Sequence, residues 1–259
     1  MQERDGGRLD WTRKELKDRA KQVLRTSYWK AFLVSLLLAV LGGGVSSCSY
    51  NSGGGTSASL PGLNGSWEEM SNSPMFMAVI AGVILLFLFI LLLSIAFQIF
   101  VVAPFEVGGM QYFKQAAHDD VNMNYMVYSF QRGQYMAIVK GMLWKNVLTF
   151  LWFLLLIIPG IVKSYAYSMV PFILADNPGI GTKRAVRLST QMTYGHKWKM
   201  FVLDLSFLGW YLLGTLALGI GILFVLPYDH STKAELYKVL RRQALYDGQT
   251  SSKELRLPE

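Results

Sequence analysis

The sequence predicts an all-α, multi-pass helical membrane protein, with about six transmembrane helices paired into three hairpins and basic amphipathic helices on the cytoplasmic side. Three observations predict it. Hydrophobic residues form 52% of the 259-residue chain and charged residues only 16%, against about 25% charged in a soluble globular domain. Mean hydropathy is accordingly positive, at +0.31. Apolar tracts at 31–45, 75–103, 147–158 and 201–227 approach or exceed the ~20 residues that cross a bilayer. The cations, finally, are unevenly spread. Of 25 Lys and Arg, nine lie in residues 1–30, four in 104–145, one at 163, five in 176–199 and six in 228–259. Residues 42–74 have none and carry Glu68 and Glu69 instead. By the positive-inside rule the cation-rich segments, both termini included, are cytoplasmic and 42–74 is external.

The segment at 12–24, TRKELKDRAKQVL, opens the chain's helical part with Thr12 and Glu15 spaced as a capping box. Leu16, Ala20, Val23 and Leu24 follow at helical spacing, giving one apolar stripe on a basic helix. Such a helix is expected to lie flat among lipid headgroups, making 1–28 a cytoplasmic amphipathic helix ahead of the first span. A single membrane domain then covers 29–245. Its spans fall near 29–45, 75–103, 141–159, 160–175, 199–217 and 218–230, and 246–259 forms a cytoplasmic tail. The loop 46–74 is rich in Gly and Ser and too low in complexity to build a core of its own. Cys48 is the one cysteine, so no internal disulfide forms. Its VSSC context is like a lipoprotein cleavage site, but ~30 residues rich in charge precede the run, unlike a signal peptide.

Residues 154–179 pose the main topological question, because Pro159-Gly160, Lys163 and Pro171 interrupt an otherwise apolar run. Pro-Gly is a turn signal. Lys140 and Lys145 before it, with Lys183, Arg184 and Arg187 after it, put both flanks on one side of the membrane. Two crossings with a turn at Pro159-Gly160 satisfy this. The same logic folds 201–227 back near 218–221, since one straight helix of that length would run ~40 Å against a ~30 Å core. The return legs are short, so four full spans with re-entrant elements is the alternative. Three X-Pro-aromatic sites (VVAPFE, SMVPFI, FVLPYD) and two Trp-Lys-X-Phe sites (SYWKAF, HKWKMF) suggest three degenerate copies of one hairpin unit.

The tail segment 232–245 repeats the amphipathic pattern, with Thr232 and Glu235 as a box and Leu236, Val239 and Leu240 as the stripe. Residues 177–192 give a third case, with Asn177-Pro178 as a start signal and Ala185, Leu188 and Met192 on one face. Interfacial belts are expected from Trp29, Trp144, Trp152, Trp198, Trp210 and nearby tyrosines. Gly209, Gly214, Gly219 and Gly221 are expected to let helices approach closely.

No zinc-binding, nucleophile-elbow, phosphate-loop or paired-cysteine motif is present, so no catalytic residue, metal site or cofactor is expected. His118 beside Asp119 and Asp120 fits a solvated loop, and His230 fits a cap on the last helix. Ionisable residues at membrane depth are the usual functional pointers, because their desolvation is costly. Three qualify: Asp204, expected to pair with Lys199; Glu106, just past Pro104; and Lys163, free to reach the headgroups. A polar path joining Gln98, Glu106 and Asp204 is the functional reading of the same residues. The positive charge sits beside spans without a base-reading motif, so it suits anionic lipid headgroups rather than nucleic acid.

The strings IIPGIVKSYAYSMVPFILADNP, SFLGWYLL and GIGILFVLPY, together with RKELKDRAKQVL, YWKAF and PFEVGGMQYF, resemble a bacterial membrane family known as domain of unknown function 975. More distantly the pattern is similar to the membrane domain of some glycerophosphodiester phosphodiesterases, whose catalytic barrel this sequence lacks. The resemblance implies a bacterial, Gram-positive cytoplasmic membrane and supplies no catalytic residue. The expected role is a non-enzymatic membrane protein of the envelope that binds lipid or a membrane protein partner. A small solute or lipid transporter, or a channel subunit, is the alternative.

Overall fold

A computed structural model describes residues 3–4, 8–9, 11–42, 74–130, 133–216 and 220–257. Apart from a two-residue antiparallel pairing of β1 (Glu3–Arg4) with β2 (Arg8–Leu9), the described elements are helical. Five helical stretches are long and apolar enough to cross a membrane: Arg13–Leu41, Pro74–Ala116, Tyr135–Leu155, Ile157–Asp176 and Lys197–Leu216. The expected sixth, near 218–230, is only the first part of a longer helix that turns polar. The chain divides into two units, residues 45–98 and the remainder. In the smaller unit the described element is α2 (Pro74–Phe97), which has no buried residue. Nearly all of the expected external loop, Cys48 included, lies outside the described residues.

The larger unit begins with α1 (Arg13–Leu41). Thr12 caps it, its Oγ1 accepting from the Glu15 amide at 3.3 Å. The expected boundary at residue 28 is not a break in the chain. Helix 12–24 runs into the span as one element, kinked at Ser27 (φ −131°, ψ 19°), whose hydroxyl donates to the Val23 carbonyl at 2.8 Å. Insertion of a side chain into the backbone ladder is an ordinary cause of such a bend.

The π turn Gln98–Val102 precedes α3 (Ala103–Ala116). Pro104 explains it: proline has no N–H for the carbonyl four residues back. That carbonyl, of Phe100, instead accepts from the Tyr135 hydroxyl at 2.6 Å. A 3₁₀ segment (Met123–Phe130) folds against α3, so closely that a Cβ on Gly108 would lie 2.2 Å from the Met126 carbonyl oxygen.

Next come α4 (Tyr135–Leu155) and α5 (Ile157–Tyr167), packed on each other and separated by one extended residue, Leu156 (φ −161°, ψ 144°). The run 154–179 is therefore interrupted, but at Leu156, three residues before the expected turn at Pro159-Gly160. Proline fits a helix's first turn, where its missing N–H has no partner to lose. Gly160 serves the packing: a Cβ there would come 2.6 Å from the Phe153 ring.

After a break at Ser168 and Met169, α6 (Val170–Asp176) is buried along its whole length. Asn177 caps a 3₁₀ turn (Pro178–Ile180), its Oδ1 accepting from the Gly179 amide at 2.9 Å. The third predicted surface helix thus starts later, as α7 (Thr182–Met192), and its stripe of Ala185, Leu188 and Met192 is buried. The unit ends with α8 (Lys197–Leu216) and α9 (Ile220–Tyr246), which runs through Pro227. Gly214 and Gly221 bring α8 and α9 into backbone contact, as expected of them. Gly209 touches nothing within 4 Å, and Gly219 lies outside the described residues.

Two surface helices are corrected. Residues 232–245 are the continuation of α9, not a separate helix. Thr232 is mid-helix, its hydroxyl donating to the Tyr228 carbonyl at 2.7 Å, and Glu235 pairs with Lys238 at 3.2 Å. The α1 stripe (Leu16, Ala20, Leu24) and the α9 stripe (Leu236, Val239, Leu240) are both buried, with α1 packed along α9. Phe32 against Phe224 marks the same face, and Lys17 lies over Phe207 of the neighbouring Lys197–Leu216 helix. Two apolar stripes within reach bury each other, at about 1.5–3 kcal/mol for each large side chain.

The tail is docked rather than loose. Arg184 of α7 grips Glu254 with two hydrogen bonds, at 2.6 and 2.9 Å, and also donates to the Gln249 carbonyl. Asn177 donates to the Glu254 carbonyl at 2.9 Å, and Leu255 is fully buried.

Gly108→Ala is expected to lower the thermal midpoint in detergent by several degrees, because backbone must move to admit the methyl group. Gly209→Ala, with open space around it, is expected to leave that midpoint unchanged or raise it slightly. The tail should also respond to pH. Hydrogen bonds from Arg184, aided by Thr250, hold the Glu254 carboxyl at about 2, from an ordinary 4.5. A lowered folded-state pKa contributes stability that is complete above the ordinary value and lost as pH falls toward the lowered one. Hydrogen-exchange protection of residues 249–257, corrected for intrinsic rates, should decline between those two values, and Glu254→Gln should abolish that dependence.

Candidate functional site

Glu106 and Asp204, far apart in sequence, line one cavity of about 410 Å³. α3 places Glu106 at its first turn, where a carboxylate is favoured by the helix dipole. From α4, Lys145 reaches Glu106 at 3.3 Å. From α8 comes Asp204, whose partners are not the expected Lys199 but two groups from other helices. Tyr165 of α5 donates to it at 3.0 Å, and the Lys233 ammonium of α9 lies 3.7 Å away. Continuity of α9 explains the exchange: with Pro227 inside the helix, Asp229 and Lys233 stand four residues apart on one face and bond at 3.0 Å. Tyr211 completes the cluster by donating to Asp229 at 3.1 Å.

The result is a chain of polar contacts, Tyr165 to Asp204 to Lys233 to Asp229 to Tyr211, that ties three helices together. Burial disfavours a charge on Lys233, but Asp229 and Asp204 outweigh it and hold the ammonium above the ordinary lysine range. His230 also lines the cavity. It is no helix cap: it stacks on Phe113 at 5.2 Å between ring centres, and its Nδ1 is buried without a hydrogen-bond partner. The rest of the wall is largely apolar, with Met110, Met200 and Leu203 prominent. Such a site can hold a molecule carrying both charges at one end and hydrocarbon beyond. Its ring of acids and bases can also pass a proton between helices.

Lys163 is not part of it. Its ammonium lies 4.7 Å from the centre of the Trp152 ring, a cation–π contact at the edge of α4 and α5. Gln98, the other member of the expected polar path, falls in the π turn after α2. Sequence reasoning missed Lys145, Lys233, Asp229 and Tyr165. The available signal was the Asp229/Lys233 spacing, hidden once Thr232 was read as a helix start. Among the described residues no group of three or more His, Cys, Asp or Glu is placed to hold a metal ion.

No curated protein and no solved structure matches the chain. A family model described as "Protein of unknown function (DUF975)" matches residues 69–244, more than half of the sequence, and the chain belongs to that family.

Proposed function

We propose that this chain is a non-enzymatic, multi-pass protein of the bacterial cytoplasmic membrane that binds a phospholipid in the Glu106/Asp204 cavity. In this reading α4 with α5 and α8 with α9 are hairpins, and the cation distribution supports cytoplasmic termini. One observation carries the lipid assignment. An apolar groove of about 270 Å³, formed by Ile158, Val162, Trp198 and Phe201 among others, shares Ile161 and Tyr165 with the charged cavity. A headgroup carrying both charges suits the Lys145/Glu106 and Lys233/Asp204 pairs. An acyl chain suits the groove, whose outer residues Ile158 and Trp198 are about three-quarters exposed.

The test is native mass spectrometry of protein extracted in mild detergent. The expected spectrum retains one phospholipid. Ile161→Trp, which fills the shared wall, should lower the bound fraction about tenfold, while Trp29→Ala, remote from the groove, should not. Absence of bound lipid, or equal retention by both variants, would sink the assignment.

A transporter is the second reading, favoured by the five-group polar chain from Tyr165 to Tyr211. It expects proteoliposomes to show proton-coupled uptake or leak that Asp204→Asn reduces at least tenfold. An unchanged flux in Asp204→Asn, Glu106→Gln and Lys163→Met removes its basis.

A further inference from the structure

The helices that wall the first cavity also wall a second. Along α3, Glu106 and Met110 face the first, and Gln111, Lys114 and His118 face the second. Along α9, Lys233 and Leu236 are followed by Arg241, and along α6 Phe172 is followed by Asp176. The second cavity measures about 650 Å³ and is closed on one side by Arg256 and Leu257 of the docked tail.

Its charge balance differs from the first. Lys114, Arg241 and Arg256 face one carboxylate, Asp176. Asp176 is committed: it accepts from Lys114 and Tyr237, and from Arg241 at 3.2 Å. Arg256 pairs with no carboxylate among the described residues. It also holds a left-handed backbone (φ +50°), unusual for a side-chain-bearing residue, at the end of the segment clamped by Arg184 and Glu254. His118 is pushed below the ordinary imidazole range by burial and by the charges of Lys238 and Arg241, so it is neutral at pH 7. Gln111 is 7% exposed, and its side-chain oxygen is buried with no hydrogen-bond partner. Three cations against one anion leave a net charge of two in the pocket.

We propose that this cavity binds a phosphate monoester or inorganic phosphate group. Such a group carries about −1.5 to −2 charge near pH 7, which matches the surplus. Arg241 from the last helix and Arg256 from the tail supply charge-assisted donors, a task to which the guanidinium fork is suited. Lys114 adds a point charge. The same chemistry is presented by free phosphate and by the headgroup of phosphatidic acid. The site is independent of the apolar groove, so Ile161→Trp should leave it unaffected.

The test uses the full chain in dodecyl maltoside micelles. One arm titrates inorganic phosphate and glycerol 3-phosphate calorimetrically. The other follows, by native mass spectrometry, retention of phosphatidic acid against phosphatidylcholine. Whichever arm responds identifies the source. Binding in that arm should weaken about tenfold or more in Arg256→Gln, as expected for loss of a charged hydrogen bond. It should change less than twofold in Arg25→Gln, which removes the same charge from an exposed turn of α1. Arg256→Lys, which keeps the charge without the guanidinium fork, should recover part of the binding and guards against a misfolded Arg256→Gln. No binding in either arm overturns the proposal, as does equal weakening in Arg256→Gln and Arg25→Gln, which would mean diffuse attraction only.

Discussion

A single buried carboxylate organises the larger unit. Asp176 sits in the last turn of α6, where the helix dipole is already negative and opposes a second negative charge. Its side chain is almost fully enclosed, so its charge must be matched within the protein. Lys114 from α3 and Tyr237 and Arg241 from α9 supply the match, which fixes three helices in one register. Removing Asp176 would leave the buried Lys114 without its carboxylate, a loss of about 3–5 kcal/mol for a buried pair. α6 is too short to be stable alone, since isolated helices below about 12 residues are marginal in water. It persists because all seven of its residues are buried and its terminal charge is held.

From that pinned junction the two cavities follow. α3, α6 and α9 meet at Asp176 and contribute walls to both cavities, and each cavity keeps its own charge balance. Toward the first turn of α3, two lysines meet three acids, Glu106, Asp204 and Asp229, so carboxylates outnumber cations by one. Toward its last turn, cations outnumber acids, and the extra arginine comes from the tail rather than from a helix. The tail is therefore a structural wall, and the Arg184–Glu254 clamp decides whether Arg256 stands at the pocket.

The sequence shows the local features and hides the pairwise ones. The all-helical class and the long apolar run 75–103 are legible because apolarity over that length has one cheap solution. An interruption within 154–179 is legible too, though proline's tolerance of a first helical turn moved it to Leu156. Of the candidate site, Glu106 and Asp204 stood out because charges in apolar surroundings are costly. Their partners did not: Lys145 reads as one of the cations flanking the turn in 154–179, and Lys233 sits in a polar stretch where a lysine needs no explanation. Asp176 was overlooked for the same reason: at the end of an apolar string and before Asn-Pro, it looks like the first residue of a loop.

The stripes on α1 and α9 show why amphipathic patterns underdetermine location. A lipid interface and a neighbouring apolar helix remove the same area from water, at about 25 cal/mol per Å² in either case. The pattern of Leu16, Ala20 and Leu24 is satisfied by both. What decides between them is whether a second stripe is held within reach. Here α9 continues unbroken through Pro227, so Leu236, Val239 and Leu240 are carried on the same rigid rod that meets α8 at Gly221. That rod presents its stripe wherever the hairpin stands, and α1 needs only a bend at Ser27 to lie against it. Lipid binding at the surface would demand that both stripes turn outward, exposing the faces that now enclose Tyr237 and, with it, the hydroxyl that holds Asp176.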